Sequence, residues 1–95
     1  MNHCSIFPYY VSNMFFDEQN KRVYHDTDVS EHIQQISFVI PVVHYESRSQ
    51  YNMSLQPFAE ILPNNIVRYG GYPSHDGAFY LQAVVTVYVF GTGIL

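Results

Sequence analysis

The chain has 95 residues, a net charge of −4, and only 13% charged residues against 47% hydrophobic ones. That length allows one small domain, and four scattered cations (Lys21, Arg22, Arg48 and Arg68) argue against a nucleic-acid or an anionic-membrane partner, since both draw on clustered Lys and Arg. Cys4 is the single cysteine, which excludes an internal disulfide and a thiolate zinc site built from one chain.

The N-terminal stretch MNHCSIFPYYVSNMFF has no basic start and no clean apolar segment. It therefore reads as part of the domain and not as a signal peptide, with a cytoplasmic or virion-associated location expected. This stretch and the following KRVYH predict two strands joined as a hairpin through the polar loop Asp17-Glu18-Gln19-Asn20. Pro8 cannot donate to a ladder, so the first strand is expected at a sheet edge or bulged.

Asp26 to Gln35 is the one stretch with helical spacing. Asp28 and Glu31 stand at N-cap and N3 distance, and Val29, Ile33 and Ile36 recur at i, i+4 and i+7. A short helix over 28–35 is predicted. Next comes a buried strand, Ile36 to Tyr45, with Pro41 marking an edge or a bulge. Tyr51 to Leu55 reads as a short strand. Gln56 to Leu62 reads as one helical turn with Pro57 at its first position. Pro63-Asn64-Asn65 is a turn, Ile66 to Tyr69 opens another strand, and Gly70 to Gly77 is a loop.

Phe79 to Phe90 (FYLQAVVTVYVF) is apolar or aromatic at nearly every position. Gln82, Thr86 and the β-branched run Val84 to Val89 suit a strand better than a membrane-spanning helix. Alternation places Phe79, Leu81, Ala83, Val85, Val87 and Val89 on one face, which should be the core. The other face carries Tyr80, Gln82, Val84, Thr86, Tyr88 and Phe90. Its mixture of Tyr and Phe with few charges matches interface composition. Taken together, these elements predict an all-β fold, a small antiparallel sandwich or barrel, with one short helix.

Few side chains point to chemistry. His25, Asp28 and His32 would share one face of a helix and could ligate zinc or iron, but no further ligand is evident and no metal or cofactor is expected. Ser74-His75-Asp76 has the letters of a triad, yet consecutive residues rarely converge and the nucleophile-elbow pattern G-x-S-x-G is absent. The loop from Arg68 to Gly77 is the better candidate for recognition, with Tyr69, Tyr72, His75 and Asp76 as its contact residues, because Tyr offers broad contact area at low entropic cost.

Asp76-Gly77-Ala78-Phe79-Tyr80 followed by Phe90-Gly91-Thr92-Gly93 resembles the end of an immunoglobulin variable domain. The cysteine that such a domain carries two residues after the Tyr is Gln82 here, and there is no Trp. The resemblance implies a β-sandwich and nothing further.

The composition as a whole predicts a non-enzymatic module that works by assembly or binding, its partner a second copy or another protein. A homo-oligomeric structural component of a larger particle such as a virion is the reading it favours. The alternatives are a small inhibitor that docks its Tyr-rich loop on a host protein, and a small enzyme using His75 and Asp76.

Overall fold

The computed structural model describes residues 2–12, 22–47, 55–73 and 82–93. Its strands are β1 (Asn2–Ser12), β2 (Val23–Asp28), β3 (Ile33–Ser47), β4 (Leu55–Leu62), β5 (Ile66–Pro73) and β6 (Gln82–Gly93). They form two antiparallel three-stranded sheets, ordered β1-β6-β3 and β2-β5-β4. The sheets pack on one another, as an all-β chain with this alternation must if its apolar faces are to leave water.

β6 is the central strand of its sheet, where a run without charge belongs. Ala83, Val85, Val87 and Val89 alternate along it and are 2% exposed or less. Tyr9 and Val11 of β1, and Val39 and Val43 of β3, stand beside them in register and face the same way. From the opposite sheet Val23, Val67, Tyr69 and Leu55 complete one continuous core. Phe79 and Leu81, expected on the same face, lie outside the described residues.

The predicted helix over 28–35 is not there. Asp28 ends β2, a turn follows, and β3 starts at Ile33. The helical spacing of Val29, Ile33 and Ile36 has two other sources. In the turn, the backbone N–H groups of His32 and Ile33 donate to the carbonyl of Val29 at 2.9 and 2.8 Å. Within β3, register shifts fall between Ile33 and Gln35 and between Ile36 and Phe38. Each bulge adds one residue, which turns an inward spacing of two into a spacing of three. Gly91 lies opposite Ile36, where a Cβ would stand 2.0 Å from the Gln35 carbonyl oxygen, so the bulge requires glycine. Asp28 caps the turn locally: its carboxylate accepts from the backbone N–H of Ser30 at 2.9 Å and from its hydroxyl at 2.6 Å.

Three further expectations are corrected. β1 and β2 do not form a hairpin: β1 pairs with β6 and β2 with β5, in opposite sheets. The inward face of β1, with Phe7 and Tyr9, needed a layer to pack on more than a neighbour to pair with. Gln56 to Leu62 is strand β4, not a helical turn. Gly70 to Pro73 continues β5 instead of opening a loop, because Gly71 leaves room beneath it for the Leu55 side chain.

Pro8 and Pro41 do mark edge strands. They lie in β1 and β3, on either side of β6, and Pro57 lies in the edge strand β4. An edge strand tolerates a missing N–H on its open side, and Pro there discourages further strands from adding.

The turn Pro63-Asn64-Asn65 joins β4 to β5, as its sequence predicts. Asn64 and Asn65 adopt φ of 67° and 57°, the left-handed region that Asn enters more readily than most residues. Asn65 also links the two sheets. Its Nδ2 donates to the carbonyls of Ile33 and Gln34 at 3.2 and 3.0 Å, and its own carbonyl accepts from Val29 N–H at 2.9 Å.

Two outcomes follow. Val87→Asp places an uncompensated charge in the core, a loss of roughly 3–5 kcal/mol against a total stability of roughly 5–14 kcal/mol for a chain of this size. The variant should not fold cooperatively, and a soluble, cooperatively melting Val87→Asp protein would refute the core assignment. Asn65→Gly keeps the backbone conformation but loses both side-chain hydrogen bonds, so chemical denaturation should register a loss of about 1–2 kcal/mol. Asn65→Val should lose about 1–2 kcal/mol more, the cost of a left-handed β-branched residue.

Candidate interaction surface

Alternation that fills the core with one half of β6 turns the other half outward. On the outer face of the β1-β6-β3 sheet the register sets four rows. Phe90 lies between Cys4 and Phe38, and Tyr88 between Ile6 and Ile40. Thr86 lies between Pro8 and Val42, and Val84 between Tyr10 and His44. None of these residues is Asp, Glu, Lys or Arg.

The two edge strands stand proud of the centre. Tyr10 is 66% exposed, Ile6 58%, Phe38 50%, Ile40 45% and Val42 41%, whereas Val84, Thr86, Tyr88 and Phe90 are half-buried between them. Phe38 stacks on Phe90 with ring centroids 4.6 Å apart and planes 12° from parallel, so this end of the face is already ordered. Large side chains at these exposures each show on the order of 100 Å². These five side chains therefore show roughly 500 Å², and the remaining residues of the rows bring the face to roughly the 800 Å² that each partner contributes to a standard protein interface. Soluble monomers rarely expose a contiguous apolar patch above a few hundred Å².

The β2-β5-β4 sheet has the opposite character. Among the described residues every charged residue but one lies on this sheet, just before β2, or in the β2–β3 turn: Arg22, Asp26, Asp28, Glu31, Glu60 and Arg68; the exception, Glu46, is near the end of β3. Arg68 forks onto Asp26, donating from Nε to Oδ1 at 2.7 Å and from NH2 to Oδ2 at 2.8 Å. That hydrogen bond holds the Asp26 carboxyl below its ordinary range. Arg22 pairs with Glu60 at 2.9 Å, and its guanidinium lies 5.1 Å from the Tyr24 ring centre and 5.0 Å from that of Phe58. Both cations are thus paired with carboxylates and seated on aromatic faces; Arg22 is itself buried, while Glu60, Arg68 and Asp26 are partly exposed.

The sequence placed Gln82, Val84, Thr86, Tyr88 and Phe90 on one interaction face. Val84, Thr86, Tyr88 and Phe90 share the outward face of β6. Gln82 is in β6, opposite Ser12 and Ser47, and Tyr80 lies outside the described residues. Sequence reasoning missed the flanks of the face on β1 and β3. The signal was present as outward alternation through each proline, in Ile6-x-Pro8-x-Tyr10 and in Phe38-x-Ile40-x-Val42.

The described part of the expected recognition loop, up to Pro73, is strand β5. Tyr69 is 1% exposed and belongs to the core, so it is corrected from a contact residue to a packing one. Tyr72 is on the outer face of β5, 41% exposed, with its ring 5.0 Å from Phe58. His75 and Asp76 lie outside the described residues, as does Ser74. His25 stacks on Tyr9 at 5.2 Å and His32 meets Phe7 edge-on at 5.5 Å. Each His covers an aromatic ring of β1 at the open side of the sandwich, and with Asp28 bound to Ser30 the three do not share a face. Among the described residues no three His, Cys, Asp or Glu side chains converge as a metal requires.

Compared with known protein families, with characterised proteins and with solved structures, the chain matches none.

Burial pushes the Tyr69 phenol up to about 12, with the neighbouring Tyr9 adding to the effect. The folded state therefore holds this proton after the unfolded chain, titrating near its ordinary value of 10.0, has lost it. The stabilisation is complete below pH 10 and is lost as pH rises towards 12, a change of roughly 2–3 kcal/mol. Tyr69→Phe should lose less stability than the wild type over that window. Equal slopes in denaturation curves from pH 9.5 to 12 would show that the phenol is not buried as described.

Proposed function

We propose that the protein is a non-enzymatic assembly module, a homo-oligomeric structural component of a larger particle, and that it works through the outer face of the β1-β6-β3 sheet. The carrying observation is that the twelve residues of this face, four rows deep and three strands wide, include no Asp, Glu, Lys or Arg, while the opposite sheet and its flanking turn gather the described charges other than Glu46 near the end of β3. A domain that needed only to stay soluble would place its charges on both outer faces. Unequal faces suit a chain in which one is covered.

The chemistry of the surface agrees with this use. Tyr, Phe, Ile and Val supply apolar area, and the Tyr hydroxyls, Thr86 and His44 supply hydrogen-bonding groups at the margins and centre. Such a mixture provides contact area with enough polarity to select one arrangement. Strand addition is discouraged at three of the four sheet edges by Pro8, Pro41 and Pro57, which favours association through the face.

Light scattering on the wild type and on an Ile40→Glu/Tyr88→Glu variant tests the proposal. These two residues are register partners in the middle of the face. The wild type should exceed the monomer mass at tens of micromolar (an order of magnitude above the μM range of ordinary affinities). The variant should keep its circular dichroism and cooperative melting and run as the monomer. A monomeric wild type at that concentration would falsify the proposal.

A further inference from the structure

If self-association through the β1-β6-β3 face is correct, its stoichiometry is also fixed, and we infer that two copies pack outer face to outer face in an isologous, two-fold pair that closes at two. This rests on the proposed function and adds the partner surface and the number of copies.

Two modes of self-association are open to a sandwich with unlike faces. In a heterologous mode the uncharged face of one copy would seat on the β2-β5-β4 face of the next, and the contact would repeat without limit. It would also cover the Arg68–Asp26 and Arg22–Glu60 pairs with an apolar surface offering few groups to replace lost water. Desolvating ion pairs that now stand partly in solvent opposes association. In the isologous mode each copy covers the other's apolar rows, and neither ion pair of the β2-β5-β4 sheet loses water. The roughly 800 Å² that each copy offers equals the per-partner area of a stable complex.

Long-range charge points the same way. Each chain carries −4, so two copies repel. Face-to-face packing sets the charged sheets on the outside, separated by the two apolar sheets between them. With sheets about 10 Å apart, that separation is roughly 30 Å, several times the ~8 Å Debye length at physiological salt. The heterologous mode would instead place one copy directly on the other's charged sheet.

The strand order of the face suits a two-fold. A two-fold axis running parallel to the strands and over β6 lays each copy's β3 along the other's β1, so that all three strands of both faces are covered. Aligned packing of this kind is the ordinary way in which two sheet faces meet.

Sedimentation equilibrium combined with a mixing experiment tests the inference. Wild-type mass should rise with concentration and level at twice the monomer. Wild type mixed with tagged Ile40→Glu/Tyr88→Glu protein should form no mixed complex, because an isologous contact needs an unaltered face from both copies. In a heterologous contact the same variant keeps an intact β2-β5-β4 face and would cap wild-type chains. Mass growing past two copies, or the variant co-purifying with wild type, would overturn the two-fold pair while leaving self-association standing. A wild type that remains monomeric would instead remove the function on which this inference rests. Far-UV circular dichroism of the variant keeps a folding failure apart from both results, and Val42→Glu, at an exposed edge-strand position, serves as the second variant if it does not fold.

Discussion

Everything in this molecule depends on burying a strand that is apolar on both sides. β6 can hide Ala83, Val85, Val87 and Val89 only if a second sheet lies across it, and that need divides the chain into two layers. The remaining residues of β2, β4 and β5 are then committed to a single task. Val23, Leu55, Val67 and Tyr69 turn inward to meet β6. No further layer among the described residues covers the other side of β6. Its neighbours β1 and β3 shield it only laterally, with Ile6, Tyr10, Phe38 and Ile40 as flanking walls.

The distribution of charge follows from the same division. A chain with so few ionised groups cannot coat two outer faces. Apart from Glu46 near the end of β3, the described charges collect on the β2-β5-β4 side, where the Arg22 and Arg68 guanidinium groups meet Tyr24 and Phe58. Paired cations resting on rings present charge to water while spending little apolar surface. The asymmetry is thus a property of the whole sandwich and not of one patch.

How much of this was legible in the sequence depended on how local the governing signal was. The core face of β6 was readable because strict alternation through valines has one structural meaning. The turn at Asn64 and Asn65 was readable because it is built from neighbouring residues. Pro8 and Pro41 located edges because proline acts at its own position. Pairing partners were not readable: β1 pairs with the far end of the chain, and nothing near Ile6 or Tyr10 says so. The false helix over 28–35 shows a different limit. A turn followed by bulges reproduces helical spacing, and the only local sign of a bulge is Gly91, which is remote in sequence and close only in the folded sheet. Tyr69 was misplaced for a related reason, since the glycines after it suggested a loop where they permit close packing.

The pairing of β1 with β6 has a temporal consequence. Asn2 lies opposite Thr92, so β1 waits for β6 to be synthesised before it gains its neighbour. β3 waits for the same strand. Neither can be covered laterally until β6 has been made, and closing so long a loop costs entropy before any contact repays it. Topologies dominated by such distant pairings fold in milliseconds to seconds. During that interval Ile6, Tyr10, Phe38 and Ile40 stand in water beside unpaired edges. Prolines at positions 8 and 41 then protect the nascent chain, limiting strand-to-strand adhesion at the stage when the molecule is most open to it.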